Sequence, residues 1–283
     1  MTAASQRMRV AQSAISTAVA HLENELGVQL AIRRHASGLT LTRSGESFVA
    51  ELRRFLVHAD ELTEAARGLG ESLVGDLYIE FFSTISPFYL PRLLTGFEAQ
   101  YPHVRVFVQE DEHAHIVSRL RSGQCEIALM YGYGLHDEMN FEVVDSVDPH
   151  VIVAAGHPLS QAEGVSLSDL IDEPMVLLDL PHSREYFQDL LTSLQLEPNL
   201  GRTSTSYETV RSLVAHGHGW SILNQKPRLD VTYDGKELVA LPVLDPVETL
   251  DVVLAWHADI RLTRRADAFI QFAKTFFDRK HSV

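Results

Sequence analysis

Periodic apolar residues between Gln12 and Leu26 predict a helix near the start of the chain. They recur at spacings of 4, 3 and 4 residues: Ile15, Val19, Leu22 and Leu26. Because an α-helix turns once in about 3.6 residues, this spacing places them on one buried face. Gly27 follows the last of them, where a glycine commonly ends a helix.

The opposite face of the same helix begins with polar side chains. Those that can face a ligand near the amino end are Gln12, Ser13, Ser16 and Thr17. Small side chains permit close approach to a groove of DNA, and hydroxyl groups bond phosphates or base edges. The pattern therefore predicts a recognition helix.

Two short arms follow this helix, at residues 29–34 and 39–42, and the turn-forming residues 36–38 join them. Arg33 and Arg34 end the first arm. A helix followed by a hairpin with a basic pair indicates a winged helix-turn-helix whose arginines meet the DNA backbone. The alternative is an ordinary helix and hairpin with solvated arginines.

A longer periodic run follows Thr42, which can cap a helix. Its apolar residues recur at spacings that alternate between 4 and 3: Phe48, Leu52, Phe55, Ala59, Leu62, Ala66 and Leu69. Spacing that averages 3.5 residues favours two helices wound about each other. A single helix packed on a globular core is the alternative. We expect a linker and dimerisation helix over residues 44–70.

From Asp76 onward, strand-like runs alternate with helical ones, which is typical of doubly wound α/β folds. The pattern predicts one subdomain from residues 75–149 and 250–283, and a second from residues 150–249. In the second, Ser166 with Asp169 predicts a capping box, and a helix is expected at residues 184–194. Thr205 with Glu208 predicts another capping box, which opens a helix at residues 207–215. Two crossing connections between the two subdomains leave a cleft.

Polar residues at strand ends and helix starts are the candidate ligand contacts in this cleft. They are Ser83, Thr84, His113, Tyr131, Ser183, Thr205, Ser206 and Asn224. Open α/β sheets bind ligands beyond the carboxyl ends of their strands, where helix starts offer unpaired N–H groups. These donors favour an anion such as a carboxylate, although helix caps and turns explain each residue singly.

Charge separates the predicted head from the rest of the chain. Residues 1–58 hold seven arginines and four glutamates, a net charge of +3. Because the whole chain has a net charge of −14, residues 59–283 carry a net charge of −17. A basic head held away from an acidic body can still bind nucleic acid. No apolar run is long enough to span a membrane, and no secretory signal begins the chain, so we expect a cytoplasmic protein.

The sequence contains few signs of catalytic, metal-binding or redox sites. The common hydrolase, nucleotide-binding and metalloprotease motifs do not occur, so we expect no catalytic residues, metal or cofactor. The histidine pairs at 113/115 and 216/218 lack acidic or thiolate ligands at fixed spacing. Cys125 is the single cysteine and is read as an inert core thiol rather than a redox sensor.

The run VAQSAISTAVAHLENELGVQLAIRR, with LTLTRSG after it, resembles the amino-terminal segment of LysR-type transcriptional regulators. Weaker similarity extends through LRSGQCEIALMY and RTSTSYETVRSLVAHGHGWSILNQKP to the effector-binding domain of that family. The resemblance aligns Met1 with the start of the family's second DNA-binding helix, so the first helix has no counterpart here. A misassigned start, a shortened chain and a genuine short form are all compatible with this.

The resemblance implies an α/β protein with a truncated winged helix-turn-helix at residues 1–43, a linker helix and two subdomains of the periplasmic-binding-protein type. It implies a transcriptional regulator that binds promoter DNA as a homodimer or homotetramer, contacts RNA polymerase and responds to a small molecule. The alternative is a cytoplasmic small-molecule-binding protein or an enzyme that uses the same cleft.

Overall fold

The computed structural model describes residues 2–34, 38–66 and 73–281. Contacts divide the chain into two units, residues 1–70 with 121–124, and residues 71–120 with 125–283.

Short helices and a hairpin precede a long helix in the first unit. Its elements are α1 (Thr2–Met8), α2 (Gln12–Leu26), β1 (Ala31–Arg34), β2 (Gly38–Leu41) and α3 (Arg43–Ala66). The helix predicted over residues 12–26 is confirmed, and Gly27 ends it at φ 67°, in the left-handed region. The predicted hairpin is confirmed by antiparallel pairing of β1 with β2, while the tip residues Ala36 and Ser37 lie outside the described residues.

A carboxylate fixes this hairpin to α2. Glu23 Oε1 accepts hydrogen bonds from the backbone N–H groups of Leu30 at 2.8 Å and Ala31 at 2.9 Å. The Thr42 hydroxyl caps α3 by accepting from Gly45 N–H at 2.9 Å. A Cβ on Gly45 would lie 1.9 Å from the Leu30 carbonyl oxygen, so only glycine permits this approach.

The second unit contains two subdomains, and the first is built on a five-stranded sheet in the order β4-β3-β5-β12-β6. Its strands are β3 (Gly75–Phe82), β4 (Val104–Asp111), β5 (Ile127–Tyr131), β6 (Met139–Val147) and β12 (Leu250–His257). Helices α4 (Ser86–Gln100), α5 (His113–Arg121) and α8 (Arg264–His281) accompany them. β3 pairs in parallel with β4 and β5, as the strand–helix alternation predicts, whereas β12 runs antiparallel to β5 and β6.

The second subdomain contains two smaller sheets. They are formed by β7 (His150–Ala154), β8 (Met175–Leu178), β9 (Leu200–Ser204), β10 (Ser221–Leu223) and β11 (Leu238–Pro242). The order is β10-β7-β11 in an antiparallel sheet and β8-β9 in a parallel pair. Helices α6 (Pro181–Ser193) and α7 (Tyr207–Ala215) pack with them. Each subdomain has its own buried apolar cluster, so each can hold its shape while the other moves.

One predicted cap is wrong. Ser166 and Asp169 were expected to form a capping box, but the Ser166 hydroxyl donates to Asp245 at 2.9 Å and makes no cap. The segment is a short 3-10 helix, Leu167–Asp169, and Asp245 also accepts from the Leu167 backbone N–H at 2.7 Å.

Candidate nucleic-acid interface and ligand cleft

The polar face of α2 is the candidate surface for nucleic acid. Gln12, Ser13 and Thr17 are exposed, whereas Ser16 is half-buried. The half-buried apolar residues of the opposite face are Ile15, Val19 and Leu22. The fourth residue of the predicted buried face, Leu26, is 44% exposed, so the prediction for that residue is wrong. The other three are turned away from the polar face as the spacing predicts.

Arg33 and Arg34 end strand β1 of the hairpin. Their side chains lie outside the described residues, so only the backbone position of this pair is known. Because Glu23 ties the start of β1 to α2, the two arginines follow the same rigid body as the polar helix face.

Leu52, Phe55 and Leu62 of the predicted α3 seam are exposed within the single chain, whereas Phe48 and Ala59 are half-buried. Phe55 is 66% exposed and Leu62 is 73% exposed, values that a helix packed on its own core would not show. The last seam residue, Leu69, lies outside the described residues.

The cleft of the second unit lies between its two subdomains, at the carboxyl ends of strands β3, β5 and β10. Ser83 and Thr84 follow β3 and Tyr131 ends β5, all in the first subdomain. Asn224 follows β10 in the second subdomain, where Tyr186 donates to its side-chain oxygen at 3.5 Å. The structure thus brings these four predicted residues to strand ends that border one cleft.

A cluster of phenols, an amide and a hydroxyl joins the two subdomains on this side. Thr84 and Gln225 are 8% and 5% exposed and lie near the buried Tyr131 hydroxyl. Burial raises the pKa of that phenol above its ordinary value. Within the described part of the chain, Thr84 Oγ1 and Gln225 Nε2 have no hydrogen-bond partner.

A buried carboxylate lies behind this cluster. The Tyr89 hydroxyl donates to Asp145 Oδ2 at 3.0 Å, and Asp145 is 4% exposed. Burial first and then the Asp145 charge raise the pKa of Tyr89, which keeps the phenol protonated. This corner of the cleft therefore disfavours a second negative charge.

Aromatic side chains form contacts across the cleft. The rings of Phe88 and Tyr207 meet edge to face at 5.9 Å between centroids, and the Tyr207 hydroxyl donates to the Gln225 carbonyl. Tyr133 packs against Tyr186 at 5.4 Å and donates to the Asp189 carboxylate. These aromatic rings supply an apolar part of the wall, as is common in small-molecule sites.

The starts of α5 and α6 also meet across the cleft. His113 is the first residue of α5 rather than the residue before it, and its ring stacks on that of His182, with centroids 3.6 Å apart. Burial, followed by the nearby His182 and His136, lowers the pKa of His113 to about 4. His113 is therefore uncharged at neutral pH.

One predicted helix start and one predicted helix cap are wrong. Pro181 begins α6 two residues before Ser183, which lies inside the first turn and is buried. Pro at the first turn of a helix has its φ angle already set for helix, which explains the earlier start. The cap of α7 is Ser206, whose hydroxyl accepts from Thr209 N–H at 3.3 Å, and Thr205 is an exposed residue before it.

Sequence reasoning missed several residues of this cleft, among them Tyr89, His182, Tyr207 and Gln225. Gln225 directly follows Asn224, so the strand-end argument reached its neighbour and stopped one residue short. His182 was missed because the predicted start of α6 was too late, which left His182 outside the helix. Nothing in the sequence around Tyr89 and Tyr207 distinguishes them from aromatic residues of the core.

One histidine of each sequence pair, His115 and His216, bonds a carboxylate, and the cysteine is buried. His115 bonds Asp111 at 2.8 Å and His216 bonds Asp234 at 2.7 Å. Among residues 2–34, 38–66 and 73–281, no group of three or more acidic, histidine or cysteine side chains is arranged for a metal ion. Cys125 is 2% exposed, and burial raises the pKa of its thiol. None of the helices that the structure describes combines the length and apolar character needed to cross a membrane.

Comparisons with known proteins agree with this arrangement. The family model described as LysR substrate binding domain matches residues 70–278, and the model described as bacterial regulatory helix-turn-helix protein, lysR family, matches residues 1–46. The crystal structure of HinK, a LysR family transcriptional regulator from Pseudomonas aeruginosa, is 35% identical with a TM-score of 0.71. That match covers 97% of this chain and 91% of HinK.

Two curated relatives are similar over most of their length. The uncharacterized HTH-type transcriptional regulator YvbU of Bacillus subtilis is 26% identical over 276 residues, which cover 98% of this chain and 93% of YvbU. A hydrogen peroxide-inducible genes activator of Pectobacterium carotovorum is 27% identical over 258 residues, covering 90% of this chain and 84% of the relative.

Proposed function

The chain belongs to the LysR family of DNA-binding transcriptional regulators, and from this premise we propose which of its surfaces bind DNA, effector and a second copy. Its similarity to regulators covers both the helix-turn-helix and the effector-binding domain. The resemblance read from the sequence is therefore confirmed.

The DNA contacts that we propose lie on α2 and the hairpin. Gln12, Ser13 and Thr17 are exposed on one face and are short enough to approach base edges in the major groove. Ser16, half-buried on the same helix, lies at the margin of that surface. Arg33 and Arg34 would neutralise phosphates at the hairpin, which supplies affinity without sequence preference.

Gel-shift titrations on a promoter fragment test these roles. Thr17→Ala should weaken binding to the specific fragment about tenfold, which corresponds to about 1.4 kcal/mol. Asn24→Ala, also exposed on α2 but near its carboxyl end, is the control. Arg33→Ala should weaken binding to all duplexes and reduce the salt slope by about one phosphate contact. Equal affinities for wild type and Thr17→Ala would remove α2 from the base contacts.

The effector site that we propose is the cleft between the two subdomains of the second unit. The observation that carries this proposal is the pair of buried polar atoms, Thr84 Oγ1 and Gln225 Nε2, which meet no partner among the described residues. An unsatisfied buried polar group costs about 1–3 kcal/mol, and a bound ligand can recover that cost. Tyr131 and Asn224 complete the polar contacts, while Ser83, Thr205 and Ser206 lie nearer the margin.

Binding in this cleft would control DNA binding by population shift. A ligand favours the arrangement of subdomains to which it binds more tightly, and one with equal affinity for both arrangements changes nothing. Footprinting of the full chain on its promoter, with and without a compound that raises its melting temperature, tests this step. Identical protection in both samples would contradict effector control.

Self-association through α3 completes the proposed regulator. Two α3 helices paired along their exposed seam would hold two recognition helices for two half-sites. We propose a homodimer, or a homotetramer built from it, that acts in the cytoplasm without a cofactor and contacts RNA polymerase at its promoter.

The cleft would bind its ligand without converting it. The relatives are regulators, and the polar groups of the cleft include no activated nucleophile among the residues that the structure describes. Incubating any compound that binds with the full chain, and following its concentration, tests this. Loss of the compound with multiple turnovers would favour an enzyme.

A further inference from the structure

The side chain of Tyr133 extends from the first subdomain and contacts the second. Tyr133 lies two residues after the end of β5, between two glycines. Its ring packs on the His182 ring at 5.1 Å between centroids and on the Tyr186 ring at 5.4 Å. Its hydroxyl donates to the Asp189 carboxylate. All three partners belong to α6 of the second subdomain.

The partners of Tyr133 lie on one face of α6, which we call the docking face. It is formed by His182, Tyr186 and Asp189, whose spacings of 4 and 3 residues place them along one stripe of an α-helix. The Tyr133 ring lies against the two aromatic side chains of this stripe, and its hydroxyl meets the carboxylate. One side chain therefore makes three separate contacts with the other subdomain.

The glycine after Tyr133 permits this close approach. Gly134 has a φ angle of 68°, in the left-handed region that favours glycine. A Cβ at this position would also lie 2.9 Å from Cε1 of the His182 ring, which is too close for two carbon atoms. This second constraint involves the other subdomain, so it applies only while the cleft is closed.

The Tyr133 hydroxyl keeps its proton at neutral pH and can donate it to Asp189. The hydrogen bond to that carboxylate, followed by partial burial, raises the pKa of Tyr133 to about 12. Hydrogen bonds to a charged acceptor are stronger than those between neutral groups. Because water competes for a bond at the surface, the two ring contacts supply the rest of the attraction.

The docked tyrosine is connected to proposed effector contacts on both sides of the cleft. On its own side, Tyr131 precedes Tyr133 by two residues and ends the buried strand β5. On the other side, Tyr186 of the docking face donates to the Asn224 side-chain oxygen at 3.5 Å. A movement of Tyr133 away from α6 therefore affects the surroundings of both contacts.

We propose that Tyr133 is a latch that holds the two subdomains closed by docking on the docking face of α6. This rests on the proposed role of the cleft as the effector site. The three contacts of the latch each join one subdomain to the other, so opening the cleft breaks them while both apolar cores stay intact. An effector enters or leaves when Tyr133 is released, and Gly132 and Gly134 supply the backbone freedom for that release.

Distances between spin labels on α5 and α6 test the latch in the full, unliganded chain. Ser118→Cys and Thr192→Cys place the labels at exposed positions, whereas the native Cys125 is 2% exposed and stays unlabelled. An excess of unlabelled chain limits the measurement to distances within one chain. Without further substitution one short distance should dominate, and Tyr133→Ala should lower the ratio of short to long distances at least fivefold. Tyr233→Ala, which removes a 93%-exposed ring from the second subdomain, is the control and should leave the ratio unchanged.

Two further variants separate a latch from a general loss of structure. Tyr133→Phe keeps the ring and removes only the donated hydrogen bond, so it should lower the ratio about twofold. Gly134→Ala adds the Cβ that would meet His182 and should lower the ratio although Tyr133 is retained. Equal ratios with and without Tyr133→Ala, or an equal fall in Tyr233→Ala, would overturn the latch and leave the proposed function standing. If the wild-type chain binds no promoter fragment at low salt, the proposed function itself fails, whatever the distances show.

Discussion

The Thr84 hydroxyl is buried just after the end of strand β3 and has no hydrogen-bond partner within the part of the chain that the structure describes. Thr84→Val replaces it with a methyl group of the same shape. Because an unpaired hydroxyl already costs free energy, we expect the free energy of unfolding to stay within about 1 kcal/mol of wild type or to rise. Urea unfolding of the unliganded chain measures this.

The same variant should respond differently to effector. Any compound that raises the melting temperature of wild type through the cleft should raise that of Thr84→Val less, since one hydrogen bond is lost. Thr209→Val, an exposed threonine on α7, is the control. A large loss of stability together with a full ligand response would show that Thr84 is structural and not a contact.

Cys125 bears on whether peroxide is the signal, because one relative is named as a peroxide-inducible activator. The thiolate is the form that peroxide oxidises, and burial raises the pKa of this 2%-exposed thiol. We expect peroxide to leave the DNA affinity of wild type and Cys125→Ala equally unchanged in gel shifts. A peroxide response that disappears in Cys125→Ala would contradict this.

Single residues show where sequence reasoning succeeded and where it stopped. Thr84 and Tyr131 were found because the ends of buried strands can be recognised from hydrophobic runs. Gln225 was missed because nothing in its own neighbourhood separates it from Asn224. Its importance comes from Tyr131 and Tyr89, which are distant in sequence and near only in the folded chain.

At the scale of elements, α3 presents its apolar seam to solvent in the single chain. Leu62→Glu should weaken self-association at least tenfold, because it places a charge in the seam while leaving the fold of one protomer intact. Sedimentation equilibrium measures the change. Ser47→Glu adds the same charge at an exposed position outside the seam and should have little effect. Equal self-association constants for Leu62→Glu and Ser47→Glu would show that the seam is not the dimer contact.

Element boundaries depended on competing local signals. The bounds of α2 and α7 follow the predicted ones because periodicity and a helix-ending or capping residue agree there. The start of α6 was misplaced because Ser183 resembles a cap, while Pro181 can begin a helix two residues earlier. The Ser166 capping box failed because Asp245, 79 residues away, bonds the hydroxyl instead. A local sequence pattern cannot predict a hydrogen bond to a residue so distant in the chain.

At the scale of the whole molecule, buried histidines couple stability to pH. The pKa values of His113 and His150 are lowered by burial from 6.5 to about 4, and His150 is further affected by Lys226 and Arg211. Between these values the unfolded chain binds protons that the folded chain excludes. The contribution of these two histidines to the free energy of unfolding is therefore fully present above pH 6.5. It decreases as pH falls below 6.5 and is lost near pH 4.

Urea unfolding at several pH values between 7 and 4 tests this linkage. His150→Gln should show a flatter loss of stability with falling pH than wild type, because one buried group no longer resists protonation. His21→Gln, whose side chain is 72% exposed, serves as the control. Parallel curves for wild type and His150→Gln would show that His150 takes no part in acid unfolding.

The sequence by itself determined the elements, their order and the family, because helical and strand periods are local and because the resemblance depends on residues at fixed spacing. It also indicated the strand ends at which Thr84 and Tyr131 lie. Only the tertiary structure decided that β12 returns between β5 and β6, that His113 stacks on His182 without charge, and that Gln225 approaches Tyr131. The physical reason is that pairing, burial and pKa depend on residues far apart in the chain, whose distances are set by packing and not by spacing.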